Sequence, residues 1–258
     1  MSRPFDFTRA LVRRPGASAV KGLRAGDRSD PDLAGLLAEH AAYVAALRGA
    51  GLEVEELAAD EGFPDGLFVE DPALVFPEAA ILLHPGAPSR AGEVALLAPE
   101  LAARFPKVLE LPEGYADGGD VLDLGTRVLI GLSARTDRAG AEALAGLLDG
   151  LGKRAEVVEP PPGVLHLKTA CSLVGEGVVL ATPLLAATGM FGGLTVIETP
   201  RGEEGGANVL WVNDTLLVGA HFPGIADKLA GLGAAVVPLA NREIARIDAG
   251  FTCMSLRW

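Results

Sequence analysis

Residues 117–158 read DGGDVLDLGTRVLIGLSARTDRAGAEALAGLLDGLGKRAEVV, and they contain one complete structural unit. A polar signature, DGGD, precedes a short apolar strand, VLDLG, and a second strand, TRVLIGL, follows the turn. Strands of this kind are Val/Leu/Ile runs bounded by Gly and Asp. DRAGAEALAGLLDGLG then carries apolar residues at the 3.6-residue spacing of a helix. AEVVE closes the unit as a third strand.

The same order recurs on both sides. Upstream, FVED precedes the strands PALVF and AAILLH, the helix SRAGEVALLAPELAARF and the strand KVLEL. Downstream, HLKTA precedes CSLVG and GVVLAT, with a weaker helical segment, PLLAATGMF, before LTVIE. GGAN precedes VLWVN and TLLVG, the helix FPGIADKLAGLG and the strand AAVVPL. A last signature, FTC, is followed by MSLRW. The N-terminal region supplies a fifth helix, DPDLAGLLAEHAAYVAALRGAG, with Ser29 as the expected N-cap, Asp32 three residues on and Gly51 near its end. LEVEEL follows it. Pairing ALVRRP with MSLRW would close five units into a ring.

Within the units, Asp71, Asp120, His166, Asn208 and Cys253 stand just before the first strand, at successive intervals of 49, 46, 42 and 45 residues. Repeats of that length imply radially arranged units. Equivalent positions of a ring converge on its axis. Carboxylates, an imidazole, an amide and a thiol are therefore expected at one central site.

Composition bounds the alternatives. The chain has 258 residues, 49% apolar and 22% charged, as in an ordinary globular protein read here as one domain, 1–258. Its two cysteines, Cys171 and Cys253, suit a reducing cytoplasm rather than a disulfide framework. The opening MSRPFDFTRALVRRP lacks the apolar run of a signal peptide, and no apolar stretch is long enough to span a membrane. A net charge of -12 disfavours nucleic-acid and anionic-membrane partners and favours a cationic small molecule. Glutamine is absent and asparagine occurs three times, which either a heat-adapted source or a GC-biased genome would produce.

A thiol and an imidazole can act as nucleophile and base. Glu70, Asp71, Asp117 and Asp120 would make the site negative, which disfavours a thiolate in the empty pocket and favours a cationic substrate. A guanidinium, planar and permanently charged, matches carboxylates bidentately. Cys171, inside ACSLVGEGVVLA, reads as core filler. His40 and His84 read as surface residues and His221 as structural. Gly118 and Gly119 fit a sharp turn but no phosphate loop, and no CxxC, HxxxH or HExxH pattern occurs, so no metal or cofactor is expected.

FPDGLFVEDP (63–72), DGGDVL (117–122), GLSART (131–136), LHLKTACS (165–172), AN (207–208) and IDAGFTCMSL (247–256) resemble the dimethylarginine dimethylaminohydrolases of the guanidine-modifying superfamily, in that family's order. The resemblance implies an α/β fold, a five-bladed propeller of ββαβ units with pseudo-fivefold symmetry. It implies hydrolysis of methylated arginine to L-citrulline through a covalent Cys253 intermediate, with His166 as acid and base and Asp117 holding His166. It implies Asp71 on the guanidinium nitrogens, Glu70 and Phe68 as further substrate-binding residues, Arg90 and Arg135 on the substrate carboxylate, and Asp65 with the backbones of Leu23 and Ile247 on the α-amino end. Leu23 would lie in a closing loop, GASAVKGLRAG. Val209 stands where many relatives carry a second cysteine. Arginine deiminase or citrulline hydrolase activity on the same scaffold, and a non-catalytic arginine-binding propeller, are the competing readings. The last predicts no adduct at Cys253. Assembly is left open, a homodimer being one option.

Overall fold

A computed structural model describes residues 3–258. The elements run in the order β1 (Arg9–Arg13), α1 (Leu33–Gly49), β2 (Glu53–Leu57), β3 (Ala73–Phe76), β4 (Ala79–Leu82), α2 (Glu93–Ala102), β5 (Val108–Glu110), β6 (Val121–Asp123), β7 (Val128–Gly131), α3 (Arg138–Asp149) and β8 (Ala155–Val158). β9 (Cys171–Gly175), β10 (Val178–Ala181), α4 (Pro183–Ala186), β11 (Thr195–Glu198), β12 (Leu210–Val212), β13 (Thr215–Gly219), α5 (Pro223–Leu229), β14 (Ala235–Leu239), α6 (Arg242–Ala245) and β15 (Leu256–Arg257) follow.

They form five three-stranded sheets with one design: β3-β4-β5, β6-β7-β8, β9-β10-β11, β12-β13-β14 and β15-β1-β2. In each, the middle strand pairs antiparallel with the first and parallel with the third. A parallel pair needs a crossover, and a helical segment supplies it in every unit. The ring closes as expected, with Leu11 opposite Leu256 and Ala10 opposite Arg257.

Each buried cluster joins two neighbouring blades. Leu74, Ile81 and Leu83 of one blade pack with Ala141, Leu144 and Leu148 of the next blade's helix α3. Leu210, Val212 and Leu217 likewise meet Leu36, Tyr43 and Leu47 on α1. Leu11 and Leu256 meet Ala73, Ala80 and Leu97, so the last interface is sealed like the others. No blade can bury its apolar face alone, and ring closure removes the exposed ends a linear array would leave.

Two local expectations are corrected. The N-cap of α1 is Asp32, which accepts from the Gly35 amide at 2.8 Å, while Ser29 lies outside the helix. His40 is buried, not superficial. α1 is covered on two sides, by its own sheet and by α6, so its polar positions are not all solvated. The third crossover shrinks to the single turn α4, capped by Thr182 ahead of Pro183. Gly and Thr after Ala187 end it, in line with the weak pattern there.

Candidate active site

Short turns before the first strands carry the functional side chains inward. Asp117 immediately precedes the 3₁₀ turn Gly118–Asp120, His166 is the N-cap of Leu167–Thr169, and Cys253 lies within Thr252–Met254. Gly119 has no room for a side chain: a Cβ would stand 2.9 Å from both Asp71 Oδ1 and His166 Nδ1. The expected turn glycine is thus also a spacer that lets two blades approach.

A cavity of about 180 Å³ is lined by Asp71, Asp117, His166 and Cys253, and also by Leu23, Asp65, Phe68, Arg90, Arg135 and Ile247. His166 Nε2 meets Asp117 Oδ2 at 3.0 Å, and the other Asp117 oxygen accepts from the Gly86 amide at 2.8 Å. Asp117 is fully buried. It therefore fixes the ring orientation of His166. Asp71 Oδ1 accepts from the Gly119 amide at 3.1 Å, and its other oxygen pairs with Arg90.

Burial alone would lower the His166 pKa. The carboxylates of Asp71, Asp117 and Asp120 outweigh it and hold the imidazolium up to about 9. Burial pushes the Cys253 thiol up to about 12, and Glu70 and Asp71 push the same way. Burial also opposes ionisation of Asp71, but Arg90 and His166 keep it below the usual carboxylate range. The empty site at neutral pH thus holds a neutral thiol beside an imidazolium. A cation placed against the thiol would favour the thiolate. Asp71, Asp117 and His166 each bring one ligand atom within 4.8 Å of the others, the one such group that could take a metal ion among the described residues. Its atoms are already committed to Arg90, Gly119, Gly86 and one another.

Over 254 residues the chain is 35% identical to a dimethylarginine dimethylaminohydrolase of Pseudomonas aeruginosa, covering 98% of this chain and all of that protein. The chain belongs to the dimethylarginine dimethylaminohydrolase family. A Streptomyces coelicolor member is also 35% identical, with 96% of each chain covered. No protein-family model matches. A solved P. aeruginosa dimethylarginine dimethylaminohydrolase, a cysteine-to-serine variant complexed with citrulline, superposes with a TM-score of 0.95, covering 98% of this chain and all of the other. A histidine-to-glycine dimethylarginine dimethylaminohydrolase, solved as an adduct with S-methyl-L-thiocitrulline, gives 0.94 at 35% identity, with the same coverage. The N-terminal domain of a cyanobacterial arginine dihydrolase, 19% identical, shares the fold at 0.86, with 96% of this chain and 97% of that domain covered.

Against that family expectation, Glu70 is displaced. Glu70 and Asp71 are sequence neighbours that line different cavities. Glu70 accepts from Lys168 Nζ at 2.6 Å, Thr252 Oγ1 at 2.8 Å and Arg257 Nη2 at 3.4 Å, beside a second cavity of about 220 Å³ that shares no lining residue with the first. Asp120 and Asn208 also keep their register without entering the catalytic pocket. Asp120 accepts from the Leu167 amide, Ser133 and Thr136, and so braces the turn below His166. Asn208 accepts from the Thr252 amide at 3.0 Å and donates to Lys168 O at 2.9 Å, which moors the nucleophile's turn to the imidazole's. Cys171 is buried between blades, its thiol pushed up chiefly by burial, as filler should be. Among the described residues no helix is long and apolar enough to cross a membrane.

Glu70→Gln is therefore expected to destabilise the fold while leaving KM within about twofold. Removing one partner of a buried ion cluster costs on the order of 3 kcal/mol, because Lys168 and Arg257 stay buried and uncompensated. Urea unfolding monitored alongside steady-state kinetics checks it. A large KM rise with unchanged stability would return Glu70 to the substrate pocket.

Arg90 lines the pocket, but its guanidinium is nearly saturated. Nε and Nη2 donate to Glu93 at 2.9 and 2.6 Å, Nη2 donates again to Phe68 O at 2.9 Å, and Nη1 pairs with Asp71. One Nη1 proton is left for a ligand. Arg135 has no hydrogen bond or ion pair from its guanidinium among the described residues and is the freer cation. The loop over the pocket is fastened by contacts no local pattern announces. Asp248, at φ 57°, accepts from the Ala25 amide and pairs with Arg28, while Asp65 accepts from the Leu23 amide at 2.9 Å.

Proposed function

We propose that this chain hydrolyses Nω-methylated L-arginines to L-citrulline and methylamine or dimethylamine. The observation that carries it is one cavity lined by the Cys253 thiol, a carboxylate-braced imidazole, the Asp71 carboxylate and the Arg135 guanidinium, unpaired among the described residues. Asp71 suits the substrate guanidinium, and Arg135 suits its carboxylate. Asp65 with the Leu23 and Ile247 segments suits the α-amino end, and Phe68 shields the chain.

In this reading the substrate cation stabilises the thiolate, the Cys253 proton passes to solvent, and the sulfur adds to the central guanidinium carbon. The adduct collapses by breaking the bond to the methylated nitrogen, which leaves as the amine with a proton from His166. An S-alkylthiouronium remains on Cys253. Water gives a proton to His166 and attacks the same carbon. The carbon–sulfur bond breaks, the thiol is restored and citrulline leaves. Two free thiols and an acidic chain support a cytoplasmic setting. Five blades closed into one ring support a single domain over 1–258.

The test is citrulline release from asymmetric dimethylarginine, monomethylarginine and arginine side by side. Turnover of the methylated substrates is expected. Turnover of arginine alone would keep the chemistry and change the substrate, and no turnover with no adduct at Cys253 would leave a binding propeller.

A further inference from the structure

The loop that closes the pocket carries a guanidinium with an unused donor. Arg24 lines the same cavity as Cys253 and His166. Its Nη2 is tied to Asp30, farther along the loop, and Lys21 shares that carboxylate. Its Nη1 is buried and has no hydrogen-bond partner. Buried polar atoms almost always find partners, so an orphan on a residue that lines a cavity points to something the cavity is built to hold.

The protein's own carboxylates around the pocket are each engaged. Asp65 takes the Leu23 amide, Asp71 takes Gly119 and Arg90, Asp117 takes Gly86 and His166, and Asp248 takes Ala25 and Arg28. None of them accepts from Arg24 Nη1, which leaves that donor for an acceptor that a ligand brings. The pocket offers a second cation to the same acceptor, since Arg135 is also free of protein partners among the described residues. A group that satisfies both is anionic, small and planar, which describes a carboxylate.

We infer that Arg24 is a specificity-determining residue whose Nη1 donates to the α-carboxylate of the amino-acid substrate opposite Arg135. Bridged between a rigid blade and the loop, the substrate itself fastens the lid. Asp30 holds the guanidinium ready, so little side-chain freedom is lost on binding. Guanidines without the carboxylate would leave the lid unfastened. This rests on the hydrolase reading above.

The test uses Cys253→Ser protein, which holds ligand without turnover, with and without Arg24→Gln. Calorimetry gives the Kd of Nω-monomethyl-L-arginine and of its primary carboxamide, in which the carboxylate charge is gone. Arg24→Gln is expected to weaken the amino acid about tenfold, as for one charge-assisted hydrogen bond, and to leave the carboxamide within about twofold. Equal weakening of both ligands would mean that Arg24 only packs the loop, and no weakening of either would mean it touches nothing; both overturn the inference. Turnover by the wild-type chain tests the hydrolase reading separately, so an active enzyme with an additive cycle sinks Arg24 alone. Failure of the amino acid to bind at all overturns both.

Discussion

Cys253→Ser is expected to cut citrulline release by about ten-thousand-fold or more, because without its nucleophile an enzyme keeps only binding and electrostatic positioning. The size follows from the site's own balance. The thiol is already held up to about 12 in the empty pocket, so the chemistry depends on a substrate cation to draw its proton away. A serine hydroxyl starts several further units from ionisation and would not reach the alkoxide with the same help. The change should barely touch the fold. Cys253 is buried, but serine is nearly its shape, and the mooring of the turn runs through Thr252 and Asn208 rather than the sulfur. Thermal melting should stay within a few degrees of wild type. Acid-quenching during turnover should trap an adduct on the wild-type Cys253 peptide and none on the variant. Residual turnover above a tenth of wild type would remove Cys253 from the mechanism.

The ring was legible because each blade repeats strand, strand, crossover, strand, and because β1 and β15 are the only segments left to pair. Convergence of Asp71, His166 and Cys253 was legible because register in a ring is a statement about distance from the axis. Register does not say which way a turn presents its side chains. Glu70 and Asp71 differ by one residue and serve two cavities, because the turn that holds them aims consecutive side chains apart. Asp120 and Asn208 hold register yet became braces, because each found backbone amides of a neighbouring turn closer than the cavity. His40 misled because a helix packed on two sides buries residues that a one-faced helix would expose. Asp248 and Ala25 were beyond reach, being far apart in sequence with no pattern joining them. Family resemblance named Arg90 for the substrate carboxylate. It could not show how much of that guanidinium Glu93, Phe68 and Asp71 had already taken.

His166→Gly should separate the two halves of the reaction. With methylated arginine, turnover is expected to fall by about a thousandfold, within the range for loss of a general acid–base group. The leaving methylamine is strongly basic and cannot depart as an anion, so without the imidazolium the first adduct reverts. S-methyl-L-thiocitrulline should behave differently, because methanethiolate is a far better leaving group and needs no proton to go. Cys253 would then be alkylated, but no base remains to activate water, and the thiouronium should accumulate to one per chain. Intact-protein mass spectrometry reads it directly. Wild-type pH dependence supports the same assignment with a definite sign. The imidazolium is held to about 9, so the group that must donate a proton stays charged through neutrality, and kcat/KM should fall as pH climbs past that value. Asp117→Asn removes the charge bonded to Nε2 and should move that alkaline limb to lower pH, while a purely structural Asp117 would lower the whole profile without shifting it. A His166→Gly protein that still releases amine from methylated arginine at near wild-type rate would assign the proton to another group, and Asp117 would be the first to test.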